Sequence, residues 1–183
     1  MAKIGLFLAD GCEEIEALTV VDILRRAGIE ILTLSITDSL KVAGAHSIII
    51  EADALAKSVD QDEFDGLVLP GGMPGTTNLG ACEAVTSAIK KFNDEGRLLC
   101  AICAAPSVLG MNGILEGKEA VCYPGFEDKL LGAKIGSGKV AVSGNCITSR
   151  GMGTAIDFAL AITAHFLGRE KADSISRGII FTA

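Results

Sequence analysis

Short runs of almost wholly apolar residues recur along this chain, and each is cut off by a glycine, a proline or a tight turn before a segment with helical spacing begins. Residues 3–9 stop at Asp10-Gly11, residues 65–69 at Pro70-Gly71-Gly72, and residues 98–102 at Cys103-Ala-Ala-Pro106. A strand with one wet face alternates apolar and polar side chains, whereas a strand apolar at nearly every position has to be covered on both faces. Helices between such strands supply the covers. The pattern therefore dictates an α/β, doubly wound sandwich with a mostly parallel sheet.

The intervening segments fit that scheme. Residues 13–27 have a helical stripe with Gly28 as C-cap, and residues 30–36 form the second strand. Residues 41–52 hold two short extended runs around Gly44, a small antiparallel hairpin. A polar, glycine-containing loop after Pro70 leads to a helix over residues 82–93. A helix from Cys103 or Ala104 runs to Met111, and residues 119–123 are a weaker strand. Residues 139–143 and 146–149 flank Gly144-Asn145, a strong hairpin signal. Helices over residues 154–167 and 170–176 close the chain. No linker or repeat interrupts it, and residues 1–183 read as one domain.

The length of 183 residues and a 49% hydrophobic content allow a full core. No run is long and apolar enough to span a bilayer, and the first residues resemble a core strand more than a signal peptide. The net charge of -7, with scattered lysines and arginines, argues against a nucleic-acid partner. Cysteines at 12, 82, 100, 103, 122 and 146 are read as reduced thiols of a cytoplasmic protein.

Ligands in doubly wound folds bind beyond the carboxyl ends of the strands, which directs attention to Cys103. Leu98-Leu-Cys-Ala-Ile-Cys-Ala-Ala-Pro106 passes from strand to helix with almost no loop, and the small residues after Cys103 permit a sharp elbow. Amides at a helix start favour a thiolate there, and the Ala104 N–H is placed to hold an oxyanion. The bland reading is that Cys103 is a small buried hydrophobe. Cys100 lies inside the strand, so the C-x-x-C reads as a packed residue plus an elbow thiol rather than a redox dithiol or zinc site. With only His46 and His165 in the chain, no metal centre is expected.

Glu13 and Glu14 suit the dipole of the first helix. Glu16 differs, because at helical spacing it shares a stripe with Val20, Ile23 and Ala27 and so faces the sheet edge. Burial near a thiolate raises a carboxyl pKa and fits it to shuttle a proton. The bland alternative is an ordinary half-exposed helix acid.

The combination Gly11-Cys-Glu-Glu-Ile-Glu16, Leu69-Pro-Gly-Gly72, Ala101-Ile-Cys-Ala-Ala-Pro106 and Thr148-Ser-Arg-Gly-Met-Gly-Thr154 resembles the ThiJ/PfpI superfamily, in its parkinsonism-associated deglycase branch. The matching stretches run from near the first residue to the last long helix. The resemblance implies a flavodoxin-like homodimer. It also implies that Cys103 is a readily oxidised nucleophile, that Glu16 hydrogen-bonds to it, that Gly72 and Ala104 N–H groups form an oxyanion pocket, and that Arg26 lies near the dimer interface. Two positions depart from the family pattern. Tyr123 stands where a histidine is expected, and His46 where a second arginine would reach the pocket. His46 and Cys12 are possible pocket residues.

A phenol is a poor general base at neutral pH, so Tyr123 argues against an intracellular protease- or amidase-like hydrolase. The chemistry the resemblance implies is glyoxalase- or deglycase-like: cofactor-free conversion of a small oxoaldehyde such as methylglyoxal to its hydroxy acid. The alternative is an oxidative-stress sensor or chaperone-like protein acting through Cys103 oxidation.

Overall fold

The computed structural model describes residues 2–181. A seven-stranded sheet carries the fold. Its strands are β1 (Lys3–Leu8), β2 (Glu30–Ser35), β5 (Ala54–Leu55), β6 (Gly66–Leu69), β7 (Leu98–Ile102), β10 (Val140–Ser143) and β11 (Cys146–Ser149), in the order β10-β11-β7-β6-β1-β2-β5. Every neighbouring pair is parallel except β10 and β11, which form the antiparallel hairpin at one edge. Two small ribbons stand apart: β3 (Lys41–Ala43) with β4 (Ile49–Glu51), antiparallel, and β8 (Glu119–Ala120) with β9 (Lys134–Ile135), parallel. The expected α/β flavodoxin-like architecture is what forms.

Along β1 the pleat sends Ile4, Leu6 and Leu8 to one face and Phe7 to the other, and all four are fully buried. The first face packs under α1 (Glu14–Ala27) and α5 (Ala155–Leu167), with α6 (Arg169–Gly178) alongside. The second packs under α3 (Glu83–Asp94) and α4 (Pro106–Met111), with α2 (Gly75–Ala81) beside α3. Each large apolar side chain buried this way contributes about 1.5–3 kcal/mol, which explains why polar alternation is missing from the strands. α1 ends at Gly28, whose φ of 86° lets its N–H reach back to the Arg25 and Leu24 carbonyls.

Three local expectations need correction. The helix after β7 begins at Pro106, not at Cys103 or Ala104, because Cys103 has φ 64° and cannot join a right-handed helix. Residues 119–123 form a strand only over Glu119–Ala120. Beyond it, the Val121 N–H donates to Thr148 Oγ1 and the Tyr123 N–H to the Cys103 carbonyl, so neither amide is left for a ladder. The loop after Pro70 contains a helix, α2, that its glycines concealed. Gly75 is needed there because a Cβ would stand 2.6 Å from the Cys12 amide nitrogen.

Sheet order reverses direction on either side of β1. The chain moves outward through β2 and β5 on one side and through β6, β7 and β11 on the other. The crevice at such a switch point collects the loops leaving β1, β6 and β7.

Candidate active site: a half-buried thiol beside a buried carboxyl

Cys103 is the first residue after β7, held by two backbone bonds: its N–H donates to the Ser149 carbonyl at 3.0 Å, and its carbonyl accepts from the Tyr123 N–H at 2.8 Å. Those bonds maintain a left-handed backbone that costs a non-glycine residue about 1–3 kcal/mol. Strain of this kind persists only where the surroundings impose it. The result turns the side chain back over the β6 loop.

Glu16 comes from the first turn of α1 and is only 1% exposed. The helical stripe expected for it is present, since Val20, Ile23 and Ala27 are buried with it. Gly71 N–H donates to Glu16 Oε2 at 2.9 Å, while Oε1 is buried with no donor of its own. A buried carboxyl satisfied on one oxygen and unpartnered on the other is poorly placed to carry a full charge. Its neighbour is the Cys103 thiol, and each group shifts the titration of the other.

The space between them depends on Gly71. A Cβ there would stand 2.5 Å from Cys103 Cβ and 2.7 Å from Glu16 Oε2, inside both side chains. Sequence reasoning selected Gly72 and passed over Gly71. The doubled glycine carried the signal, but which member faces the pair is settled by the turn.

The electrostatics correct a second expectation. Burial raises the Glu16 pKa to about 7, against weaker opposing bonds from Cys103 and the Gly71 amide. The thiol, expected to be unusually acidic, is pushed up to about 12, first by burial and then by the charge and hydrogen bond of Glu16. Only the Ala104 and Gly72 amides pull it down. A helix that starts three residues late and runs six residues supplies little further help. The two groups titrate as a unit. Near neutral pH the pair moves between two protons and one, and the proton that remains is the thiol's.

Other residues singled out from sequence fall around this pair at different distances. Ala104 and Gly72 direct their amides at the sulfur. Tyr123 is half exposed, with its ring 3.4 Å from where a Gly151 Cβ would stand, a point itself 4.0 Å from Glu16 Oε1. Cys12, considered as a second thiol flanking the pocket, is fully buried in the core, with its pKa raised to about 11 by burial and then by Glu14. His46, considered as a pocket residue, instead binds Glu14: its N–H donates to Oε1 at 2.7 Å and Nδ1 lies 2.9 Å from Oε2. Glu14 therefore anchors the β3–β4 hairpin, a role beyond the dipole. Arg26 pairs with Asp22 at 2.6 Å on the outer face of α1. Cys100 is fully buried, and all six cysteines are unpaired. Neither histidine is among the groups acting on the Cys103 thiol, and His165 stacks edge-on against Phe166. No helix among the described residues is long and apolar enough to cross a membrane.

Fold and site define a class: a flavodoxin-like α/β protein with a thiol at a strand-to-helix elbow and a buried carboxyl from the first helix against it. Within that class the chain belongs to the DJ-1/PfpI family, which it matches over residues 2–165. It is 37% identical over 180 residues to Protein DJ-1 homolog B of Arabidopsis thaliana, covering 97% of this chain and 41% of that protein, so it spans less than half the plant relative's length. It is 36% identical over 169 residues to glutathione-independent glyoxalase DJR-1.2 of Caenorhabditis elegans, covering 91% and 89% of the two chains. Toxoplasma gondii DJ-1, in an oxidised form, superposes with a TM-score of 0.96 at 35% identity over 100% of both chains.

Proposed function

We propose that the chain is a cofactor-free glyoxalase acting on small α-oxoaldehydes such as methylglyoxal. The observation that carries this reading is the buried Glu16 carboxyl set beside Cys103 across Gly71, with the Gly72 and Ala104 amides acting on the sulfur. The Caenorhabditis relative's name supports the same reaction class.

In this reading Glu16, in its carboxylate form, takes the thiol proton as sulfur bonds to the aldehyde carbon. Gly72 and Ala104 N–H groups hold the resulting oxyanion. Glu16 then delivers that proton to the oxyanion, giving the neutral hemithioacetal. As a carboxylate again, it removes the hydrogen on C1 and returns it to C2, while the C1 hydroxyl proton passes to the C2 oxygen, leaving a thioester and a hydroxyl. Water cleaves the thioester, releasing lactate and restoring the thiol. The sum is methylglyoxal plus water to lactate, with no net oxidation. A carboxyl whose pKa is about 7 is suited to both taking and giving a proton at neutral pH. Deglycation of early adducts is the same reaction fed by free dicarbonyl.

A second reading rests on the exposure of the thiols. Cys103 and Cys82 are half exposed, whereas Cys12, Cys100, Cys122 and Cys146 are buried. Peroxide would oxidise Cys103 stepwise to a sulfinate, with water as the other product, and the Gly72 and Ala104 amides would receive the new oxygens. The protein would then act as an oxidative-stress sensor. A protease-like role has no histidine to support it and is not proposed.

Incubating wild type, Cys103→Ser and Glu16→Gln with methylglyoxal, without added thiol, and measuring lactate separates the readings. Lactate from wild type alone supports the enzyme. No lactate, together with stoichiometric sulfinate under mild peroxide, replaces it with the sensor. A cytoplasmic homodimer remains part of the proposal, with Ile15, Leu18 and Ile48 beside Arg26 offering an exposed apolar face for a second copy. Sedimentation of wild type and Leu18→Glu tests the dimer: a monomeric wild type refutes it.

A further inference from the structure

A cavity of 460 Å³ is lined by Tyr123, Ser137, Lys139, Arg150, Gly151 and Thr154 among others. Cys103 and Glu16 are not part of its lining, but residues that are adjoin them. Arg150 follows Ser149, whose carbonyl receives the Cys103 N–H, and Tyr123 donates its own N–H to the Cys103 carbonyl. The bare Cα of Gly151 lies between the Tyr123 ring and Glu16 Oε1, and a Cβ there would come within 3.4 Å of one and 4.0 Å of the other.

The cavity's charge stands out in a chain of net charge -7. Arg25, Arg26, Arg97 and Arg169 each close an ion pair with a carboxylate, whereas among the described residues Arg150, exposed at the cavity wall, and the distant Arg177 close none. Among the described residues Lys139 is answered by Asp157 at 3.5 Å. Glu127 feels Arg150 at longer range but is itself engaged by the Gly125 N–H at 2.7 Å. Asp157 and Glu127 both lie outside the lining, which among the described residues holds two cations and no carboxylate, and a guanidinium offers a planar fork matched to carboxylate or phosphate.

Resting on the glyoxalase reading, we propose that the preferred substrates are α-oxoaldehydes carrying an anionic tail, with the tail held in this cavity by Arg150 and Lys139. The aldehyde end meets Cys103 and Glu16 while the tail extends past Gly151. A five-carbon member with a terminal carboxylate, 4,5-dioxovalerate, would be converted with one water to 2-hydroxyglutarate. The reaction is the same internal rearrangement as for methylglyoxal, with no external oxidant.

The test compares kcat/KM for 4,5-dioxovalerate with that for uncharged 2-oxopentanal, in wild type and in Arg150→Gln/Lys139→Gln. A charged hydrogen bond supports a preference of roughly tenfold or more. The ratio should favour the anion in wild type and fall at least fivefold in the variant, mainly through KM. A wild-type ratio near one, or a ratio unchanged by the substitutions, overturns the proposal.

A readout independent of turnover separates its failure from that of the glyoxalase reading. The Cys103 alkylation rate with iodoacetate, relative to iodoacetamide, should fall in the variant. Glutarate or glycerol 3-phosphate should slow wild-type labelling, and the stronger protector identifies a carboxylate or a phosphate tail. If neither protects and the labelling ratio is unchanged, the cavity is not an anion subsite, whatever the fate of methylglyoxal.

Discussion

Replacing Glu16 with glutamine offers a quantitative check on the buried pair. The carboxyl is nearly inaccessible, and its pKa rises from 4.5 to about 7 because charging it in the folded protein means ionising it away from water. A shift of this size, at about 1.4 kcal/mol per pKa unit, corresponds to about 3 kcal/mol. The sign follows from linkage. Between 4.5 and about 7 the folded state binds more protons than the unfolded chain, so stability falls as pH rises. The contribution is fully present below 4.5 and is lost as pH passes through about 7. Glutamine has the same shape and can still accept from the Gly71 N–H, but it does not titrate in this window. Urea unfolding from pH 4.5 to 8.5, at one protein concentration, should therefore find Glu16→Gln gaining on wild type with pH, by a total of about 3 kcal/mol. The Cys103 thiol, raised from 9.0 to about 12, begins to contribute only as pH approaches 9, at the upper end of this range. Parallel stability curves for the two proteins would falsify the assignment of a proton-holding carboxyl.

Three further perturbations probe the scaffold around the pair. Gly71→Ala would drive a methyl between Cys103 and Glu16; we expect a cost of about 1–3 kcal/mol in urea unfolding and a loss of lactate formation of roughly a hundredfold. Cys103→Gly should match or exceed Cys103→Ala in thermal stability, by about 1 kcal/mol, because only glycine accepts the φ of 64° without strain; a clear advantage for alanine would mean the elbow is unstrained. His46→Ala should destabilise more at pH 6 than at pH 8. The Glu14 hydrogen bond raises the His46 pKa, so its contribution is full below 6.5 and fades as pH climbs through the folded value, which urea titrations at the two pH values can detect.

Much of the fold could be read from the chain because its signals are local. The runs at 3–9 and 65–69 are apolar on both faces, Gly28 caps α1, and Gly144-Asn145 joins β10 to β11. What escaped depended on partners distant in sequence. No local feature says that the Val121 amide will be taken by Thr148, or that Gly75 must slide against Cys12 and so start a helix in a stretch composed like a loop. At the site, the stripe from Glu16 to Ala27 announced a buried acid correctly. The direction of the thiol's acidity was misjudged because it was inferred from a helix start at Cys103. That inference fails once the left-handed elbow delays the helix to Pro106.

The delay has a chemical consequence. A thiol at a true helix start would be a standing thiolate, reactive toward any electrophile or oxidant that entered. At the elbow, sulfur gains only the Ala104 and Gly72 amides, and its ionisation is tied to a carboxyl that competes for the same charge. In the proposed reaction, negative charge would reach the sulfur when Glu16 accepts its proton, so the nucleophile would form together with the acid needed for the next step. Separate tuning of the two groups would not give this coupling. It comes from Gly71, which has no side chain to keep thiol and carboxyl apart and whose N–H holds Glu16 Oε2 in place.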